Sequence, residues 1–276
     1  MNPRRIVRIG GVSCVVAVNW KKGRFVFAQD LGPLIRDWPY EPDRVSVRQI
    51  LGRDKRLKLQ LRIDLGVLQL EWRGRPDGRR VEGYASQLEK HQQRLARFVR
   101  RCGASLGFTI TATECERLRD EMLLFYQRVV CLFVLDAYEQ AIEDLEHCRR
   151  IIELCDRFGA DRQIVESMVA IVPHMVVMNT KAVTARLVAE GRAKEALDKT
   201  IGGACELLNH FCAHGTVEDY RRSDQYDVLE RLRLKLAAQL DGDDRVRLRR
   251  ALRLAVREER YEDAARLRDE LDRLNS

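Results

Sequence analysis

From Val45 to Trp72 the hydrophobic positions tend to alternate with polar ones, and beyond residue 82 they recur every third or fourth place. Val45, Val47 and Ile50 open the alternating stretch. Leu57, Leu59, Leu61 and Ile63 continue it strictly, with Lys58, Gln60 and Arg62 between them. A period of two predicts a strand with one face buried and the other in water. Gly52-Arg53-Asp54-Lys55 supplies the preceding turn. Val67 or Leu68, Leu70 and Trp72 give a further strand, and Gly74-Arg75-Pro76-Asp77-Gly78 is a turn signal. The expectation is a small antiparallel meander.

The helical period predicts a helix over 82–101, with Lys90, Gln92 and Arg97 on its solvent face. A second starts near Thr113, where Thr113-x-x-Glu116 forms a capping box, and runs through Leu123, Phe125, Val130 and Phe133. Further helices are expected over 136–157, 161–189, 192–213 and 222–240. Pro173 must kink the 161–189 helix or open a fresh one at its first turn.

One signal recurs. Asp136-Ala137-Tyr138-Glu139-Gln140-Ala141, Gly191-Arg192-Ala193-Lys194-Glu195-Ala196 and Glu259-Arg260-Tyr261-Glu262-Asp263-Ala264 each lead from a turn through polar residues to an alanine. The pattern resembles the second-helix start of tetratricopeptide-type hairpins, but its spacing is too irregular for a tandem array. The fold expected is α+β, mainly α: a small antiparallel β meander, a TPR-like stack of helical hairpins and a terminal hairpin. Plain antiparallel helices with coincidental alanines are the alternative. The boundaries read are 1–32, 33–81 (β module), 82–240 (helical domain) and 243–276. Residues 1–32 are valine-rich without clear periodicity, either a loosely attached strand pair or a barely structured extension.

In the last segment Leu248, Ala251, Leu252 and Ala255 share one helix face. Ala264, Leu267, Leu271 and Leu274 form a narrow seam on a second helix. Asp243 and Asp244 open the first helix, and Glu262 and Asp263 fill the first turn of the second, complementing the helix dipole. A unit this short lies below the roughly 40 residues at which a chain usually folds alone. Its seam therefore closes on the rest of the chain, on a second copy or on a partner. The run from Leu252 through Glu258-Glu259-Arg260-Tyr261-Glu262-Asp263-Ala264-Ala265-Arg266-Leu267-Arg268-Asp269-Glu270-Leu271 resembles the UVR motif. That helical hairpin is shared by the UvrB and UvrC subunits of bacterial nucleotide-excision repair, some Clp-type chaperones and activators of protein-arginine kinases. The 63–78 segment is also similar to one in bacterial UVR-motif proteins. The resemblance implies protein docking, often onto another UVR hairpin, through Leu248, Leu252, Tyr261, Ala264, Leu267 and Leu271. Arg249, Arg253 and Arg268 would be rim contacts.

Charge adds a second candidate. The formal net charge is +8, and residues 1–82 hold 18 Lys and Arg against 9 Asp and Glu, while the remainder holds 32 against 33. Lys55, Arg56, Lys58, Arg62, Arg73 and Arg75, with Arg79 and Arg80, would make the meander a basic surface for nucleic-acid phosphates, and Trp72 or Tyr84 could stack on bases. The same residues also suit an ordinary exposed strand face.

The remaining chemistry is sparse. No phosphate-loop, dinucleotide-binding or H-E-x-x-H motif is present. Cys205, His210, Cys212 and His214 are the one grouping with metal-ligand residue types. Cys148 with Cys155, and Cys205 with Cys212, are each seven apart and read as core stripes. Eight cysteines without a C-x-x-C pair suit free thiols in a reducing cytoplasm. Arg4-Arg5 before an apolar run faintly resembles a signal peptide, but Arg8 interrupts it. No stretch reads as the ~20 apolar residues needed to span a bilayer. The expectation is thus a cytoplasmic, non-enzymatic adaptor without catalytic residues, cofactor or membrane contact. It would bind a protein, another UVR-containing protein or itself, with nucleic-acid binding as the alternative.

Overall fold

A computed structural model of the protein describes residues 5–9, 12–16, 31–241, 244–257 and 260–273. Its contacts divide the chain into two units, Met1–Pro39 and Tyr40–Ser276. The first contains an antiparallel strand pair, β1 (Arg5–Ile9) and β2 (Val12–Val16), and a short helix, α1 (Gly32–Ile35).

The second unit opens with the meander. Strands β3 (Val47–Leu51), β4 (Leu57–Ile63) and β5 (Gly66–Glu71) pair antiparallel in chain order, with Leu59 opposite Gln49 and Leu70. Leu59 and Leu70 enter the main core. The polar face of β4 departs from expectation, because Gln60 and Arg62 are buried instead of solvated. Long side chains on both neighbouring strands cover this central strand. Arg48 donates to Gln60 across one strand pair and Gln60 to Gln69 across the other, at 2.8 and 3.0 Å.

Helix α2 (Gln87–Cys102) starts at Ser86, whose hydroxyl accepts from the Glu89 N–H. Helix α3 (Ala112–Val134) begins earlier than expected, since its capping box is Thr111–Glu114 and not Thr113–Glu116. Ile110 fixes that frame by exchanging hydrogen bonds with the backbone at Phe158 and Ala160. A start directly after it turns Cys115, Leu118 and Met122 into the core. Helices α4 (Tyr138–Phe158), α5 (Arg162–Val169), α6 (Val172–Ala189), α7 (Ala193–His214), α8 (Val217–Arg221) and α9 (Asp224–Asp241) follow. The stretch expected as one helix over 161–189 is two, with Pro173 in the first turn of the second, where its missing N–H costs nothing. By length and composition Arg162–Ala189 could cross a membrane, unlike the expectation from sequence. Here the chain breaks between α5 and α6, and Val165, Met168, Met175 and Val176 pack inward.

The recurring alanine signal marks one repeated turn. Ala137, Arg192 and Arg260 each donate a backbone hydrogen bond to the carbonyl five residues earlier, on Leu132, Leu187 and Ala255, at 2.8–2.9 Å. This is the outer bond of a Schellman motif. Asp136 and Gly191 take the left-handed conformation it needs, at φ 54° and 74°. Ala141, Ala196 and Ala264 then sit buried in the first turn of the following helix. A larger side chain there would push the paired helices apart. The turns join α3 to α4, α6 to α7, and α10 (Asp244–Arg257) to α11 (Tyr261–Arg273).

The core runs from the meander through α2–α5 and continues as smaller clusters among α6, α7 and α9. A buried charge network ties sheet to helices. Arg128 and Asp144, 1% and 2% exposed, form a two-pronged pair at 2.7 Å, and Arg128 also donates to the Glu71 carbonyl at 2.9 Å. Glu121 accepts from the Gln87 and Leu88 N–H groups, so a side chain of α3 caps α2.

Candidate functional site

The terminal hairpin packs mainly against itself. Leu248, Ala255, Ala264 and Leu271 are buried and belong to none of the body's three core clusters. Ala255 and Ala264 lie at the closed end, where small side chains let the helices approach. Arg260 braces the turn through Asp263 at 2.8 Å. Connection to the body runs chiefly through α9. Considerable apolar surface stays open: Leu252 and Leu267 are half-buried, and Val256 and Tyr261 are 52% and 68% exposed. Arg249, Arg253 and Arg268 are exposed as well. Leu274 and Asp243 lie outside the described residues.

Charge is unequal between the two helices. Helix α10 carries six arginines against one aspartate, a balance of +5, and α11 carries three arginines against five acids, a balance of −2. Acidic Glu262 and Asp263 occupy the first turn of α11.

The basic residues predicted around the meander separate into two groups. Lys58 is paired with Glu71 and with Asp54, and these hydrogen bonds raise its pKa. Arg62 is buried and donates to the carbonyls of Ile63, Asp64 and Gly66, closing the β4–β5 turn. Arg75 pairs with Asp77 at 3.1 Å and with buried Glu121 at 3.5 Å. These three belong to the fold and are not an open cationic surface, which corrects the reading from sequence. Lys55 is exposed on the 52–55 turn in the left-handed conformation, φ 57°.

Arg56 and Arg73 remain exposed, as do Arg79 and Arg80. They line a cleft of about 770 Å³ whose wall includes Trp72. Among the described residues no carboxylate pairs with Arg56, Arg73 or Arg79, and Arg80 donates to the Gly83 carbonyl.

A second basic cleft, of about 850 Å³, was not legible as such in the sequence. Lys90, Arg94, Arg97 and Arg101 line it from α2, opposite Phe108 and Glu114. Their spacing of four, three and four places them on one helix face, the signal that could have found it. Lys90 pairs with Glu82 and Arg94 with Glu114. Burial pushes the Glu114 carboxyl up, but the Thr111 N–H, Arg94 and the Thr111 hydroxyl outweigh it and hold the pKa at about 2. Arg97 donates to the Tyr84 hydroxyl at 2.8 Å, and Arg101 lies over the Phe98 ring.

Two readings of the cysteines part company. Cys148 and Cys155 are buried in α4, and burial raises both thiol pKa values. Cys205 and Cys212 are exposed on α7, so that pair is not a core stripe. The α7 face that packs on α6 and α9 is instead the one bearing Gly203 and Leu207. His210 and His214 have ring centroids 4.9 Å apart, and among the described residues no group of three or more His, Cys, Asp or Glu gathers as a metal site.

Residues 246–276 match the family described as the UvrB/uvrC motif, UVR. No curated protein and no solved structure matches the chain.

Proposed function

We propose that this UVR-type hairpin is a docking element and that the protein works by recognition and not by catalysis, as an adaptor in a reducing cytoplasm. The observation that carries the reading is the coincidence of the motif match with a two-helix unit that leaves Leu252, Val256, Tyr261 and Leu267 partly uncovered. Burying such side chains supplies affinity, and an aromatic beside leucines is a typical anchor.

The occupant we assign is a second helical hairpin of the same kind, on another copy or another protein. Charge supports this choice. Setting two such hairpins antiparallel places the +5 helix of each against the −2 helix of the other, so the apolar contact closes with complementary rims. The remaining chain is then the platform that presents the hairpin.

The test pairs light scattering on the purified protein with pull-downs of UVR-containing proteins from its own cell. Val256→Asp with Tyr261→Ala changes two exposed side chains and leaves the buried seam intact. The complex, homomeric or mixed, should be lost while the thermal unfolding midpoint stays put. A wild-type protein that is monomeric and captures no UVR protein would sink the proposal, as would a variant that assembles unchanged.

A further inference from the structure

We propose that the two basic clefts form one track for the phosphodiester backbone of single-stranded nucleic acid, independently of what the terminal hairpin binds. Both clefts draw lining residues from one short segment, 80–85. Arg80 and Ala85 line the first, and Glu82 and Tyr84 line the second. A backbone hydrogen-bond pair between Val81 and Tyr84 holds that segment, at 2.9 Å in both directions. Arg80 bonds across it to Gly83, and Arg97 reaches back to the Tyr84 hydroxyl.

Charge bookkeeping along the track leaves six guanidiniums without a carboxylate partner among the described residues: Arg56, Arg73, Arg79, Arg80, Arg97 and Arg101. Elsewhere on the helical body several arginines are neutralised locally: Arg149 sits between Glu146 and Glu153, Arg192 between Glu190 and Glu195, and Arg233 beside Glu230. Six like charges left uncompensated in two clefts lined from one short segment raise the local concentration of an extended anion. Guanidinium forks suit phosphate oxygens geometrically.

Two features favour a single strand over other polyanions. Trp72 stands in the wall of the first cleft, where a base can lie against it while its phosphates meet Arg73 and Arg79. The cations also line recesses and not a convex ridge, so a flexible strand can follow them where a stiff duplex cannot.

The experiment uses the full chain with a fluorescent oligothymidylate and an oligouridylate of about twenty nucleotides, titrated across salt. Six phosphate contacts to a single strand predict a log–log salt slope near −4, or an affinity loss of about three-hundredfold between about 50 and 200 mM salt. Arg73→Ala with Arg79→Ala, and separately Arg97→Ala with Arg101→Ala, should each flatten that slope by about 1.4, while Arg149→Ala leaves it alone. Trp72→Leu should weaken binding about tenfold at constant slope. Should that variant misfold, competition by inorganic polyphosphate decides the same point, because a chain without bases must compete poorly. Polyphosphate competing as well as the oligonucleotide overturns the proposal. So do tighter binding of a duplex, a flat salt dependence, or a slope insensitive to either arginine pair.

Discussion

Two adjacent glycines in α7 provide a sharp test of how the helical body is packed. Gly202 and Gly203 lie in mid-helix, where glycine costs roughly 1 kcal/mol relative to alanine. Considered alone, either replacement by alanine should stabilise the protein. Their surroundings separate them. A methyl group at Gly202 would have no heavy atom within 4 Å. One at Gly203 would lie 2.1 Å from the Thr180 Oγ1, 2.9 Å from its Cγ2 and 3.0 Å from its Cβ on α6. Ordinary carbon contacts are about 3.5–4.0 Å, so the helices would have to separate or Thr180 to turn. Thr180 is itself buried, and one turn on Thr184 holds Thr200 of α7 at 3.2 Å. Overpacking a filled interior typically costs about 1–3 kcal/mol, and an approach of 2.1 Å puts this site toward the upper part of that range, above the propensity gain. Gly202→Ala should therefore raise stability by up to about 1 kcal/mol. Gly203→Ala should lower it by up to about 2 kcal/mol, net of that gain. Urea unfolding followed by circular dichroism reads both as shifts in midpoint at constant slope. Adding Thr180→Ala to Gly203→Ala removes the two nearest side-chain obstacles other than Cβ and should recover part of the loss. Equal stabilisation by both glycine replacements would refute the close contact between α6 and α7.

Two further outcomes follow from buried and partly buried charge. Asp144→Asn should destabilise by about 3–5 kcal/mol, because it strands the Arg128 guanidinium with the Glu71 carbonyl and the Phe125 face as its main company. Replacing both partners together, Arg128→Met with Asp144→Leu, should restore most of that midpoint, and failure of the double variant to improve on the single one would count against the assignment. Glu114 bears on acid stability. Its folded pKa of about 2 lies below the ordinary carboxylate value, so the unfolded chain takes up the proton first. The contribution is present above about pH 4.5 and disappears as pH falls towards 2. A profile of urea midpoint against pH should thus be shallower over that window in Glu114→Gln than in the wild type.

Local pattern settled much of the architecture. Strand β4 spans 57–63, where alternation placed it, since a period of two is written in consecutive side chains. The three alanine signals became three turns closed by the same hydrogen bond because that bond and the small side chain after it fit within a few positions. The UVR resemblance was also local, carried by a single hairpin. What the chain order could not reveal was which charge meets which. Arg94 finds Glu114, Arg128 finds Asp144, and Glu121 caps a helix 33 and 34 residues away. Likewise Glu71 and Asp54 take Lys58, turn carbonyls take Arg62, and Asp77 and Glu121 take Arg75 off the basic surface, while Arg73, Arg79, Arg97 and Arg101 stay on it. Similarly, Thr111 and Thr113 carry the same capping spacing, and only the bridge from Ile110 to the end of α4 selects the first. Period and turn chemistry act over a helical turn or a strand pair, so sequence determines them. Burial and ion pairing depend on segments brought together by folding, and only the tertiary structure decides them.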